Sequence, residues 1–121
     1  MKILVVDDNN SITELLSSYL RRKGHDCITT NNGKEGLLLC LNIKFDAIVL
    51  DLAMPEFTGK DFIESLTEEG KIARQKIIVL TAMPLGNIKI NDRHSGICEV
   101  LSKPCSLSVL LNTLESLNVV A

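Results

Sequence analysis

The chain holds no tryptophan, one tyrosine and three phenylalanines among its 121 residues. So thin a stock of rings excludes a flavin platform or a base-stacking surface. Neither Gly-x-Gly-x-x-Gly nor the P-loop pattern occurs, so the glycine-rich loops that cradle nucleotide phosphates are absent. No apolar run approaches the ~18–20 residues of a membrane span, which leaves no means of membrane insertion by a helix. The first such run, Ile3-Leu4-Val5-Val6, ends in Asp7-Asp8 with no cleavage site, unlike a signal peptide. Neither sign of charge dominates: 13 basic and 15 acidic residues leave a formal charge of −2. The short Arg21-Arg22-Lys23 run is the largest basic cluster. It falls where a helix should end, complementing the dipole there, so direct nucleic-acid binding is not expected.

The four cysteines, Cys27, Cys40, Cys98 and Cys105, form no C-x-x-C pair and show no zinc-like spacing. Reduced thiols in the cytoplasm are the expectation, each serving as a small core residue among apolar neighbours. There is no internal repeat and no Pro, Gly or Ser-rich linker. Residues 1–121 read as one stand-alone domain, with no output domain.

What is present is an ordered alternation. Ile3 to Val6 is a continuous apolar run, the mark of a strand covered on both faces. Ile12, Leu15, Leu16, Tyr19 and Leu20 follow at helical spacing. The start of that helix has three candidate caps: Asn9, Asn10, or Ser11 paired with Glu14. Gly24 ends it. Cys27 to Thr30 predicts a second strand, and Asn32-Gly33 a turn before a helix carrying Leu37, Leu38 and Leu41.

Ala47 to Leu50 repeats the apolar run and reaches Asp51. A loop through Pro55 and Gly59 leads to a helix with Phe62, Ile63 and Leu66. Ile77 to Leu80 ends at Thr81, and a short strand Glu99 to Leu101 ends near Lys103-Pro104. Ser106 caps a last helix with Leu107, Leu110, Leu111, Leu114 and Leu117 on one face. Between Leu85 and Ser95, Gly86, Asn87, Asn91 and Asp92 predict a short or irregular helix. Strands alternating with helices give an α/β fold, a parallel sheet with helices on both faces.

Asp7, Asp8, Asp51, Thr81 and Lys103 each follow the carboxyl end of an apolar strand. In an open parallel sheet that edge is where ligands bind. Each like-charged pair at ~4 Å costs about 4 kcal/mol at an effective dielectric of about 20. A hard divalent cation relieves this, and Mg²⁺ suits a few carboxylate oxygens while keeping waters and phosphate oxygens as ligands. With Lys103 offsetting charge, Asp51 is a plausible nucleophile toward phosphorus. Neither His25 nor His94 stands at a strand end on this rim. A lone Asp-Asp after a strand is ordinarily a solvated turn; five such residues, delivered in order by four strands, are not.

At Leu4-Val5-Val6-Asp7-Asp8, Asp51-Leu52-Ala53-Met54-Pro55 with Gly59, Leu80-Thr81-Ala82 and Lys103-Pro104, the chain resembles the receiver domains of bacterial and archaeal response regulators. The resemblance covers essentially the whole sequence. It implies a flavodoxin-like (βα)5 three-layer sandwich with strand order 2-1-3-4-5. It implies that Asp51 accepts a phosphoryl group from the phosphohistidine of a histidine kinase or phosphotransfer protein, or from small phosphodonors. Asp8, Asp51 and the backbone carbonyl of Ala53 would bind Mg²⁺ directly, with Asp7 acting through a metal-bound water. Thr81 and Lys103 would contact the phosphoryl group, and Lys103-Pro104 would be a cis peptide. Such a domain is no turnover enzyme and signals by contact with a downstream protein, on the surface of its fourth and fifth helices.

The sequence also departs from that family. Val100 stands where Tyr or Phe is usual, and Cys105 where Phe usually follows Lys-Pro. Ala53 and Met83, at variable positions two residues after Asp51 and Thr81, are apolar and could not orient an attacking water. A fairly long-lived aspartyl phosphate is the expectation. Two other readings remain: a pseudo-receiver that binds partners without phosphorylation, and a haloacid-dehalogenase-type phosphatase. The second usually needs an acid two residues after its nucleophile, where Asp7 and Asp51 have Asn9 and Ala53.

Overall fold

The run Ile3–Val6 forms the centre of strand β1 (Lys2–Val6), and its side chains split between two apolar layers. The computed structural model describes residues 1–82 and 96–117. Helix α1 (Asn10–Arg22), strand β2 (Asp26–Thr30), helix α2 (Gly33–Asn42) and strand β3 (Ala47–Asp51) follow. Next come helix α3 (Gly59–Glu68), a 3-10 turn over Ile72–Arg74, strand β4 (Ile77–Thr81), strand β5 (Ile97–Ser102) and helix α4 (Leu107–Ser116). All strand pairs are parallel, in the order β2-β1-β3-β4-β5, as the resemblance implied.

The period-two alternation of strand side chains builds the layers. Ile3 and Val5 point with Val49, Ile78 and Leu80 toward Leu16 and Leu20 of α1 and Leu110 and Leu114 of α4. Leu4 and Val6 point with Ile48, Leu50 and Val79 toward Cys40 of α2 and Phe62, Ile63 and Leu66 of α3. A sheet covered on both faces needs apolar residues at consecutive positions, which is why β1, β3 and β4 read as unbroken runs. The helix expected over Leu85 to Ser95 lies outside the described residues, as do Met83 and His94.

Of the three candidate caps for α1, Asn9 is the one used: its side chain accepts the Ile12 N–H. The helix ends where Gly24 adopts φ +90°, a backbone state that costs a residue with a Cβ about 1–2 kcal/mol. Arg21 and Arg22 lie in its last turn, and Arg21 also donates to the Cys27 carbonyl. Ser106 caps α4 as expected, accepting the Val109 N–H.

Five expectations need correction. Asn32-Gly33 is not a free turn: Asn32 is the N-cap of α2 and Gly33 its first residue. The buried face of α2 runs through Gly33, Gly36 and Cys40, so Leu38 points outward at 61% exposure. Small residues let the helix sit close to the sheet, and apolar content alone misleads there. Leu15 of α1 is likewise exposed. Strand β5 starts at Ile97, two residues early, and Cys98 is exposed, whereas Cys27 and Cys40 are buried and Cys105 is half-buried against the layer of α1 and α4.

Candidate functional site

The strands that end at the carboxyl rim hand over polar side chains, and two buried carboxylates, Asp7 and Asp51, face one ammonium group, that of Lys103. Asp7 directly follows β1 and is 2% exposed. Its Oδ1 accepts the Asn9 N–H at 2.9 Å, and its Oδ2 accepts from Lys103 Nζ at 2.8 Å. Asp51 closes β3 at 4% exposure. Its Oδ1 accepts the Ala53 N–H at 3.2 Å and stands 3.6 Å from the same Nζ. Asp8 is exposed beside them. One carboxylate oxygen from each of Asp7, Asp8 and Asp51 lies within 4.8 Å of the others.

Lys103 belongs to this group because of β5. Its backbone N–H donates to the Thr81 carbonyl at 2.7 Å, extending the β4–β5 ladder by one bond, and its peptide with Pro104 is cis. Thr81, the last residue of β4, is fully buried. Ala53 is exposed two residues past Asp51, its N–H engaged as above. Sequence reasoning thus named Asp7, Asp8, Asp51, Ala53, Thr81 and Lys103, and the fold gathers them at one rim.

Electrostatics follows from this crowding. Burial pushes the Asp51 carboxyl above the ordinary range, and the charges of Asp7 and Asp8 push the same way. The Ala53 N–H and the Lys103 ammonium oppose the rise. The net effect is a raised carboxyl, so a buried nucleophile of this kind gains from added positive charge. A second cation meets that need.

The donor set fits Mg²⁺. Ligands on opposite sides of that ion stand about 4.2 Å apart, twice a ~2.1 Å bond, and the three carboxylates converge on that scale. Calcium's six to eight oxygens would ask for more than this rim supplies. Because Lys103 already engages Asp7 at 2.8 Å, Asp8 and Asp51 are the carboxylates better placed for direct ligation.

Two features escaped sequence reasoning. Gly59 packs so closely beneath the site that a Cβ would run into the Asp51 carbonyl and the Leu52 backbone. Asn31, just past β2, donates from Nδ2 to the Asp7 carbonyl at 2.8 Å and to Thr13 Oγ1 at 3.1 Å. In sequence Asn31-Asn32-Gly33 looks like ordinary turn chemistry, which hides that role.

Two wider clefts lie off this cluster. One, of about 500 Å³, is lined by the end of α2 and the turn after α3, with Lys44, Lys71 and Arg74. The other, of about 410 Å³, runs between α1 and α4, and Lys103 borders it. Among the described residues no helix is long and apolar enough to cross a membrane.

Comparison with known proteins agrees with the geometry. Residues 3–115 match the profile of the response regulator receiver domain. Protein PilH of Pseudomonas aeruginosa is 27% identical over 115 residues, 95% of either chain. The CpxR homolog of Haemophilus influenzae, a transcriptional regulatory protein, is 37% identical over 103 residues; these are 85% of this chain but 44% of that longer protein. The structure of response regulator TrrA from Thermotoga maritima, in complex with Mg²⁺ and BeF, superimposes with a TM-score of 0.81 at 29% identity. It covers 96% of this chain and 97% of that one. With the strand order, the acidic rim and a profile match over nearly all its length in agreement, the chain belongs to the response regulator receiver domain family of two-component signalling.

Proposed function

We propose that the chain accepts a phosphoryl group on Asp51 in the presence of Mg²⁺, from a histidine kinase or phosphotransfer protein, and passes the signal on by protein contact. The observation that carries this reading is the buried Asp51 carboxylate flanked by Asp7, Asp8 and the Lys103 ammonium. Asp51 Oδ1 already accepts the Ala53 N–H, which supports Oδ2 as the attacking oxygen. A new O–P bond forms there as the donor's P–N bond breaks, and the leaving imidazole keeps the electron pair and takes up a proton. Lys103 turns from its carboxylate partners toward the incoming equatorial oxygens, whose charge it offsets. The Thr81 hydroxyl donates to one of them.

When bound, Mg²⁺ would supply charge neutralisation between carboxylates and phosphoryl oxygens, held by Asp8, Asp51 and the Ala53 carbonyl. Asp7, released as Lys103 turns, would act through a metal-bound water. Nothing in this scheme returns Asp51 to its free state quickly, since Ala53 offers no polar side chain; the domain is a stoichiometric acceptor, not a turnover enzyme. Four free thiols suit a reducing compartment such as the cytoplasm.

Intact mass after incubation with acetyl phosphate and Mg²⁺ tests the reading. One phosphoryl group should be gained, and none in Asp51→Asn or with EDTA. No gain in the wild-type protein, or an equal gain in Asp51→Asn, would overturn it.

A further inference from the structure

Asp8 has no side-chain hydrogen bond or ion pair within the described residues, so among them only the backbone that carries it fixes where its carboxylate starts. Two peptide planes meet at its Cα. The one after it is held by the Asn9 N–H, which donates to Asp7 Oδ1 at 2.9 Å. The one before it is held at the Asp7 carbonyl, which accepts from Asn31 Nδ2 at 2.8 Å. The second hydrogen on Nδ2 goes to Thr13 Oγ1 at 3.1 Å, and that hydroxyl donates to the Asn10 carbonyl. Thr13 is buried in α1, so the bridge has a fixed anchor.

The orientation of the Asn31 amide follows from its partners. The Asp7 carbonyl can only accept, so the NH₂ end must face it. Asn31 is itself exposed, and water could satisfy the carbonyl in its place. Water would not tie that carbonyl to α1. Losing Asn31 therefore costs geometry more than solvation, and a hydrogen bond that orients a metal ligand from behind is felt in metal affinity.

We propose that Asn31 is a positioning residue for the Asp8 carboxylate, holding the Asp7–Asp8 peptide so that Asp8 faces the cation. The inference rests on the Mg²⁺ reading above. It gives Asn31 no contact with the phosphoryl group, so its loss should act on metal affinity and leave the chemistry at saturating metal nearly unchanged.

Calorimetric titration of the full chain with MgCl₂, without any phosphodonor, provides the test. Asn31→Ala should weaken Mg²⁺ binding about fivefold, the effect of losing one typical hydrogen bond, with one site retained. Asn31→Asp keeps the shape, loses both donors and adds a negative charge. If Asn31 matters only through local charge, Asp should bind Mg²⁺ more tightly; as a positioning residue, Asp should bind more weakly than Asn. Cys27→Ala, buried at the far end of β2, controls for general destabilisation and should stay within twofold of wild type.

In metal-free protein the amide NMR signals of Asp8 and Asn9 should broaden or shift in Asn31→Ala. Unchanged affinity in both Asn31 variants, tighter binding in Asn31→Asp, or equal weakening in Cys27→Ala would each overturn the proposal alone. No heat of Mg²⁺ binding in the wild-type protein would overturn the metal reading and this inference with it.

Discussion

The two ends of the rim are built differently. At β1 and β3 the strands are buried along nearly their whole length and end in acids that are buried too. At β5 the strand lies on the edge of the sheet, and most of its residues are exposed or half-buried. Its register with β4 slips between Ile77 and Ile78, so that Ile97 and Glu99 face consecutive partners and Cys98 is the extra residue. A bulge leaves its additional residue unpaired, and Cys98 is exposed accordingly. The acceptor half is buried in both apolar layers; the β5 half pairs with β4 along one edge and packs through Ile97, Val100 and Leu101. Val100 and Cys105, which replace the family's usual aromatics, both lie in that more exposed half.

This difference can be broken in order of effect. Lys103→Met removes a cation that faces both Asp7 and Asp51, and should slow phosphoryl incorporation from acetyl phosphate about 10²-fold, the usual cost of losing one charge-stabilising donor. A time course of intact mass measures it; a rate within threefold of wild type would give Lys103 a merely structural part.

Gly59→Ala should come next. Its Cβ has no room against the Asp51 carbonyl, and relief would require backbone movement, costing about 2–3 kcal/mol. The urea midpoint should fall with the slope unchanged. An unaltered midpoint would mean that α3 does not press on the acceptor strand.

Asp51→Asn should stabilise the metal-free protein at neutral pH. Since burial raises the Asp51 carboxyl in the folded state, the folded protein holds that proton more tightly than the unfolded chain. Stability then falls as pH rises from the ordinary aspartate value through the raised one. The neutral amide escapes this loss, so its melting temperature at pH 7 should exceed that of wild type. The gap should close as the pH is lowered through the raised value. A gap that widens toward low pH would contradict the assigned cause.

The smallest effect concerns thiols. Burial pushes Cys27 and Cys40 up to about 11, so neither forms thiolate readily at pH 8. Iodoacetamide should alkylate Cys98 and then Cys105 in the native protein, and all four only after denaturation, as peptide masses would reveal. Early modification of Cys27 would mean that β2 opens more easily than β5.

The same contrast explains what could be read from the sequence. Strands β1, β3 and β4 were legible because burial on both faces demands unbroken apolar runs, and the acids were legible because the β1 and β3 runs each stop at one. The start of β5 was not, since a bulged edge strand carries no clean period and Ile97-Cys98 looks like any apolar pair. The face of α2 was misread at Leu38 because Gly33 and Gly36, not leucines, make its closest approach. Asn31 was invisible: a side chain that holds a distant carbonyl has the same local signature as one that closes a turn.

The most direct test of the rim's role is to follow backbone amide NMR signals during addition of Mg²⁺ and then beryllofluoride. The largest shifts should fall at residues 7–9, 51–53, 81–82 and 102–103, and should vanish with beryllofluoride in Asp51→Asn. Shifts centred instead on the basic cleft of Lys44, Lys71 and Arg74, or none at saturating Mg²⁺, would contradict the assignment of the acidic rim.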